Sequence, residues 1–98
     1  MKTYIYQLKL VERLYDELEW TEEDNNIIEA HYLRIKKDFE EKKIIHVGRT
    51  VDPKADGFGL VVYYAENDEA AKKYMEADPA LIHHLMTATY QPYKVIFS

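Results

Sequence analysis

The sequence predicts a single α+β domain in which a four-stranded antiparallel sheet carries two helices on one face. Four segments have the apolar patterns of strands and two have the pattern of helices, in the order β-α-β-β-α-β. The chain of 98 residues is long enough for one hydrophobic core and too short for two. Its composition, 47 % apolar and 32 % charged, is typical of a folded chain with a charged surface.

The four strands are predicted from apolar runs that are bounded by turn residues. Apolar and polar side chains alternate over about residues 3–11, as they do along a half-buried strand. Residues 43–51 form a second strand and residues 58–65 a third, nearly continuous apolar strand, and a short turn joins these two into a hairpin. Residues 86–97 form a fourth strand, which Pro92 restricts to an edge or a bulge because proline lacks a backbone N–H.

Two helices are predicted between these strands. Thr21 can cap the first helix, which runs to about Lys42, and Asp24 takes the third position of a capping box. A second helix is predicted over about residues 67–78, and it ends there because Pro79 follows. His31 lies at the margin of an apolar stripe on the first helix. The stripe consists of Ile28, Tyr32, Ile35 and Phe39.

With a hairpin in its middle, this order of elements is that of the ferredoxin-like split βαβ fold, in which both helices lie on one face of the sheet. The other face is expected to carry Ile5, Val61 and Tyr63, which are too apolar to be left in water. A two-fold contact lets one apolar surface cover a second copy of itself. We therefore expect a homodimer that packs sheet on sheet.

Composition and charge argue against several classes of partner and site. The formal net charge of -5 repels phosphate backbones, so nucleic acid is not an expected partner. The chain has no cysteine and therefore no thiolate nucleophile or cysteine-bound metal. The longest apolar run, LVVYYA, is far too short to span a membrane, and the first residues lack the apolar stretch of an export signal. We expect a cytoplasmic protein.

No cofactor and no metal ion are expected. Gly57 and Gly59 form the motif GFG, which lacks the third glycine and the following helix of a dinucleotide site. His83 and His84 are adjacent, and adjacent side chains point in different directions, so the two are poor ligands for one metal ion. They are predicted to lie in a short turn before the fourth strand, with His84 the nearer to any pocket.

The chain combines four motifs: His31 in the first helix, HVGRT in the second strand, Asp-Pro at the end of the second helix, and Met86 at the start of the fourth strand. This combination resembles the YCII-related proteins of the dimeric α/β-barrel group. The resemblance extends over about residues 3–97. It implies that His31 and Asp78 meet in a small cleft between the sheet and the helices, with Arg49 as an anion-binding neighbour.

The same resemblance implies an enzyme that acts on a small cyclic or aromatic compound by acid-base chemistry, such as isomerisation, elimination or hydrolysis. His31 is then the general base or acid, and Asp78 orients its imidazole and stabilises the charged ring. The candidates for substrate binding are Arg49, His84 and Met86. A His31 ring nitrogen is expected within about 2.6 to 3.2 Å of the Asp78 carboxylate, beside a pocket that solvent can reach.

Each candidate residue also has a structural interpretation. A histidine beside an apolar stripe, such as His31, is often a partly buried core residue that bonds a carbonyl group. Asp78 precedes a proline and can simply end a helix by bonding nearby backbone N–H groups. Arg49 can be a strand-edge charge that pairs with Asp52 or Asp56.

Two other functions stay open beside acid-base catalysis. The first is a non-catalytic dimeric module that binds a small ligand or a partner protein in the same cleft. The second is cofactor-independent oxygenase chemistry, which other dimeric α/β barrels perform on electron-rich substrates. The identity of the substrate lies beyond what the sequence predicts.

Overall fold

The computed structural model describes residues 1–98, with one four-stranded antiparallel sheet and three α-helices. The strands are β1 (Lys2–Leu10), β2 (Ile44–Arg49), β3 (Gly59–Ala65) and β4 (Met86–Pro92). The helices are α1 (Glu22–Glu40), α2 (Asp68–Glu76) and α3 (Pro79–Ile82), and two 3₁₀ turns, Glu12–Tyr15 and Glu17–Glu19, precede α1. The predicted α+β class and the antiparallel four-stranded sheet are confirmed. No helix combines the length and the apolar character that crossing a membrane requires.

The strands are hydrogen-bonded in the order β2-β3-β1-β4, and every neighbouring pair is antiparallel. β4 is therefore an edge strand, and it ends at Pro92, earlier than the sequence predicts. β2 is the other edge and contains a bulge between Ile44 and His46. This bulge lets Ile44 enter the core opposite Tyr63, while His46 pairs with Val62.

The start of α1 is fixed by a capping box and an ion pair. Thr21 Oγ1 accepts a hydrogen bond from the backbone N–H of Asp24 at 3.0 Å, and the Asp24 carboxylate accepts one from the Thr21 N–H at 2.9 Å. Arg13 binds the same carboxylate through both terminal nitrogens, at 2.8 and 3.0 Å. The hydrogen bonds from Arg13 and Thr21 hold the pKa of Asp24 well below its usual range. A fixed first residue sets the direction in which each later side chain of α1 projects.

The hydrophobic core lies between one face of the sheet and the helices. Helices α1 and α2 both contribute to it, so they pack on the same face. The core residues of the sheet are Tyr4, Tyr6, Leu8, Ile44, Val61, Tyr63 and Ala65, and those of the two helices are Ile35, Ala71 and Met75.

Val61 and Tyr63 belong to this core, which corrects the expectation that they lie on the outward face of the sheet. They are 0 % and 1 % exposed, respectively. In the register of β1 and β3, Tyr6 is opposite Val61, and directly opposite residues share a face. Because β3 is apolar at nearly every position, its sequence does not show which alternate residues face the helices. The outward face carries the other alternates, which are Thr3, Ile5 and Gln7 of β1 and Leu60, Val62 and Tyr64 of β3.

Tyrosine rings from β1, β3 and α2 pack against one another in the core. The ring centroids of Tyr6 and Tyr63 are 5.3 Å apart, edge to face, and those of Tyr63 and Tyr74 are 5.0 Å apart. The Tyr63 hydroxyl donates to the carbonyl of Ala71 at 2.8 Å. The Tyr6 hydroxyl donates to the carboxylate of Asp78, also at 2.8 Å. Tyr6 thereby links the centre of the sheet to the start of α3.

The short helix α3 is absent from the sequence prediction and follows α2 directly. α2 ends at Glu76, and Asp78 has an extended backbone, with φ −65° and ψ 126°, as expected of a residue before proline. Asp78 Oδ1 accepts a hydrogen bond from the Ala80 N–H at 2.9 Å and so caps α3, with Pro79 in its first turn. The Asp-Pro sequence therefore ends one helix and begins another.

Candidate active site

An open cleft of about 950 Å³ lies between α1 and the strands β2 and β3. Tyr32 and Phe39 are 62 % and 52 % exposed, so part of the predicted stripe faces the open cleft and not a closed core. The apolar residues of its walls include Ile28, Tyr32, Ile35 and Phe39 from α1, and Ile45, Val47 and Phe58 from β2 and the start of β3. A cleft of this size and composition suits a small organic molecule.

His31 lines this cleft and contacts Asp78, which is fully buried. His31 Nδ1 lies 2.6 Å from Asp78 Oδ1, a short distance that is typical of a charge-assisted hydrogen bond. The His31 side chain is 12 % exposed and that of Asp78 is 0 % exposed. The contact predicted from the sequence and the pocket beside it are both confirmed.

Three hydrogen-bond donors and the guanidinium of Arg34 surround the Asp78 carboxylate. Oδ1 accepts from the Ala80 N–H at 2.9 Å as well as from His31, and Oδ2 accepts from the Tyr6 hydroxyl at 2.8 Å. Arg34 Nη1 lies 3.7 Å from Oδ2. Burial raises the pKa of this carboxyl group, but the hydrogen bond and charge of His31, with the bonds from Tyr6 and Ala80, outweigh it and hold the pKa below its ordinary value. Asp78 is therefore ionised at neutral pH.

The structural and functional interpretations of Asp78 turn out to be compatible. The same carboxylate caps α3 through the Ala80 N–H and holds the imidazole of His31. A carboxylate offers about four lone pairs, so one side chain can accept from several donors at once. The cap also fixes the carboxylate in place, which orients His31 more firmly than an exposed aspartate would.

The second ring nitrogen of His31, Nε2, is available to a molecule in the cleft. Nδ1 makes the only hydrogen bond of the ring, so Nε2 has no hydrogen-bond partner. Arg34 Nη1 is the one buried side-chain N or O atom without such a partner, so Nε2 is not a buried atom. Nε2 therefore keeps access to solvent. Because the Asp78 carboxylate can only accept, Nδ1 carries the proton of a neutral ring and Nε2 carries the lone pair. The pair thus presents a base to the cleft.

Arg49 lies in the cleft wall and has no acidic partner. Its Nη1 donates to the carbonyls of Thr50 and Val51 at 2.9 and 3.1 Å. It forms no salt bridge with Asp52 or Asp56, so the predicted strand-edge ion pair is absent. The two carbonyl groups hold the guanidinium in place, and its other nitrogens stay available to an anion.

Met86 and His84 occupy different positions. Met86 begins β4, is half-buried and lines the cleft. His84 is exposed, adopts a left-handed backbone with φ 60°, and is not part of the cleft wall. The expectation that His84 approaches the pocket is therefore not met. The reason is α3, because His83 and His84 lie in the turn at the C-terminal end of this helix.

Two residues of the site were missed by the sequence prediction, Tyr6 and Arg34. Tyr6 lies in the segment that is predicted to be a half-buried strand, but the alternation of β1 does not indicate which helix end lies above its hydroxyl. Arg34 follows His31 by three positions, so the two share one side of α1. That spacing was the available signal, and the surrounding mixture of lysines and acids in the helix obscured it.

The structure brings no three histidine, aspartate or glutamate side chains together as a metal site. Comparison of the chain with protein-family models and with curated proteins finds no match.

Proposed function

We propose that this protein is a cofactor-independent enzyme that catalyses proton transfer on a small cyclic or aromatic molecule, with His31 as the acid-base residue. The observation that carries the proposal is the 2.6 Å contact between His31 Nδ1 and the buried carboxylate of Asp78. It leaves Nε2 free in an apolar cleft, which is the geometry that a general base requires.

In this mechanism Nε2 of His31 removes a proton from the substrate, and the imidazole becomes positively charged. The Asp78 carboxylate accepts the hydrogen bond from Nδ1, fixes the tautomer and stabilises the imidazolium. The imidazolium then returns the proton to another atom of the substrate or to a leaving group. In isomerisation the proton returns to another atom of the substrate, and in elimination it goes to the leaving group. In hydrolysis Nε2 instead takes the proton from an attacking water molecule, and the imidazolium then gives it to the leaving group.

The cleft supports the proposed substrate class. Its walls are mostly apolar, so a ring or a short hydrocarbon body can be buried there. Arg49 supplies a cation without an acidic partner, which suits a carboxylate or an enolate oxygen of the substrate. Met86 provides a soft apolar contact in the same cleft.

We also propose a ferredoxin-like fold and membership of the YCII-related, dimeric α/β-barrel group. The strand order β2-β3-β1-β4, with α1 and α2 on one face, supports the fold. The motifs around His31, Arg49, Asp78 and Met86 support the family. The apolar outward face of the sheet supports a homodimer in which two such faces pack together. A cytoplasmic location stays a prediction from the sequence.

A second candidate is a module that binds a small ligand without converting it. The exposure of Tyr32 and Phe39, at 62 % and 52 %, favours a surface that a ligand covers. This alternative assigns His31 and Asp78 to ligand recognition. It predicts binding that does not depend on a base at Nε2.

Deuterium exchange tests the two candidates directly. The protein is incubated in deuterium oxide with small cyclic and aromatic acids, lactones and quinols, and proton NMR follows the loss of acidic C–H signals. An acid-base enzyme accelerates exchange for at least one of these classes. His31→Asn keeps a donor to Asp78 but has no base at the position of Nε2, so exchange should be lost.

The matched control is His83→Asn, because His83 is exposed and lies outside the cleft. Its exchange rate should equal that of the wild type. Equal exchange in the His31 variant and the wild type would contradict catalysis by His31. Ligand-induced thermal stabilisation without any exchange or turnover would instead support the binding module.

A further inference from the structure

Arg34 contacts Asp78 of the His31–Asp78 pair and is not part of the cleft wall. Its Nη1 lies 3.7 Å from Asp78 Oδ2, and its Nη2 donates to the carbonyl of Tyr74 at 2.6 Å. The guanidinium also stacks on the Tyr74 ring, 4.1 Å from its centroid. Nη1 is buried and has no hydrogen-bond partner, although it points to a site that contains a carboxylate.

We propose that Arg34 is a positioning residue that compensates the charge of Asp78 and thereby keeps His31 unprotonated between turnovers. The inference deepens the proposed function and rests on it. It concerns a residue that never touches the substrate and acts through Asp78.

The argument follows from three charges around one carboxylate. The carboxylate of Asp78 favours the charged form of the imidazole, since an opposite charge in contact stabilises it. A charged imidazolium cannot accept a proton from a substrate. Arg34 stands beside the other oxygen of the carboxylate, so it neutralises Asp78 and repels a second positive charge on the imidazole.

The unpartnered nitrogen of Arg34 indicates a role for charge more than for hydrogen bonding. A buried donor without an acceptor is unfavourable, and most native structures avoid it. At 3.7 Å from Asp78 Oδ2, Nη1 is too far for a good hydrogen bond but near enough for a strong charge interaction. Tyr6 already donates to that oxygen, so Arg34 contributes its charge without displacing Tyr6.

The other ionisable groups near His31 do not provide the same effect. Burial raises the pKa values of Tyr6 and Tyr74, so both stay neutral around pH 7. Asp38 accepts the hydrogen bond of the Tyr74 hydroxyl. The remaining charged or titratable residues of the cleft wall are exposed to solvent, where water screens their charges; they are Glu29, Tyr32, Lys36, His46 and Arg49.

A purely structural role for Arg34 is the competing explanation. Arg34 on α1 binds Tyr74 on α2, and the Tyr74 hydroxyl binds Asp38 on α1, so the three side chains join the two helices. Loss of that link would lower stability in every variant of Arg34. It would not move the titration of His31 in a direction that depends on charge.

The experiment is an NMR titration of the imidazole signals in the wild type and in Arg34→Met, Arg34→Gln and Arg34→Lys. His83 and His84 serve as internal reporters, because both are exposed. The proposal expects the titration midpoint of His31 to rise by about one pH unit in the two neutral variants and to stay near the wild-type value in the lysine variant. The reporters should not move.

An unchanged His31 midpoint in a folded neutral variant would overturn the proposal, and so would a failure of both neutral variants to fold, which would indicate a structural role. The titration needs no substrate, so it succeeds or fails independently of catalysis. Where an exchange assay is active, the acid limb of its pH profile should move upward with the midpoint. A drop in rate with an unchanged pH profile would likewise contradict the role of Arg34.

Discussion

The hydroxyl of Tyr6 donates a 2.8 Å hydrogen bond to Asp78 Oδ2, while His31 bonds the other oxygen of the same carboxylate. Tyr6 lies in β1, one of the two central strands, His31 lies in α1, and Asp78 precedes α3. The three residues are far apart in sequence and meet only in the folded domain. Because the core residue Tyr6 donates to the carboxylate that also binds His31, substitutions in the site should also change the stability of the protein.

Tyr6→Phe should destabilise the protein by about 2 kcal/mol, because it removes a hydrogen bond to a buried charge and leaves the ring packing intact. The matched control is Tyr63→Phe, whose lost hydroxyl donates to the neutral carbonyl of Ala71. We expect about 1 kcal/mol for that variant. Urea unfolding monitored by circular dichroism measures both values. A cost for Tyr6→Phe no larger than the control would argue against an ionised Asp78.

Asp78→Asn should lower proton exchange on a substrate by about tenfold or more while the protein stays folded, because Asn can accept the Ala80 hydrogen bond but does not stabilise an imidazolium. Asp24→Asn is the control. Asp24 is also a buried carboxylate at a helix start with an arginine partner, but it lies outside the cleft wall. Its exchange rate should match the wild type. If Asp78→Asn exchanged protons as fast as Asp24→Asn and the wild type, Asp78 would have only its capping role.

Acid should destabilise the wild type more steeply than Asp78→Asn. The folded-state pKa of Asp78 is lowered from the ordinary 3.8, so its stabilising contribution is fully present above that value and is lost as the pH falls through the folded pKa. The variant has no such group and should show a flatter acid limb. Unfolding free energies measured from about pH 6 down to about pH 2 give the two slopes. Parallel slopes would contradict the lowered pKa.

The parts of the fold that follow from periodicity could be predicted from the sequence. The alternation of Tyr4, Tyr6 and Leu8 fixes one face of β1, and Thr21 with Asp24 marks the start of α1. The continuous apolar run of β3 has no such alternation. Its inward residues become evident only from the pairing with β1.

The site was predicted only in part, for a similar reason. The contact of His31 with Asp78 was expected from the motifs, and it is present. The contacts of Arg34 and Tyr6 with Asp78, and the position of His84 outside the cleft, depend on how α3 packs on the sheet. The sequence around Pro79 indicates the end of one helix but not the start of another. Local signals give the elements, whereas the distances between them come from tertiary packing.

Alkali should also destabilise the protein, through its core tyrosines. Burial and the hydrogen bond to Asp68 raise the pKa of Tyr4 to about 12, and burial likewise raises the pKa values of Tyr6, Tyr63 and Tyr74. A raised folded-state pKa gives stability that is complete below the unfolded value of 10.0 and is lost as the pH rises above it. Tyrosinate absorbance should therefore show a late phase that coincides with unfolding. Ionisation of all nine tyrosines near their ordinary pKa in the folded protein would contradict this.

The proposed homodimer can be tested by substitutions on the outward face of the sheet. Tyr64 is 43 % exposed on that face, beside Val62, which lies opposite Ile5 in the register. If two such faces pack together, light scattering at micromolar concentration should give about twice the 11.7 kDa mass of one chain. Tyr64→Lys places a charge in the contact, so it should shift the mass toward one chain without loss of helical signal. The control is Val51→Lys, which changes a 96 % exposed apolar residue after β2 and should leave the dimer intact. A wild-type mass of one chain would remove the dimer, and the outward face would then need another explanation for its apolar residues.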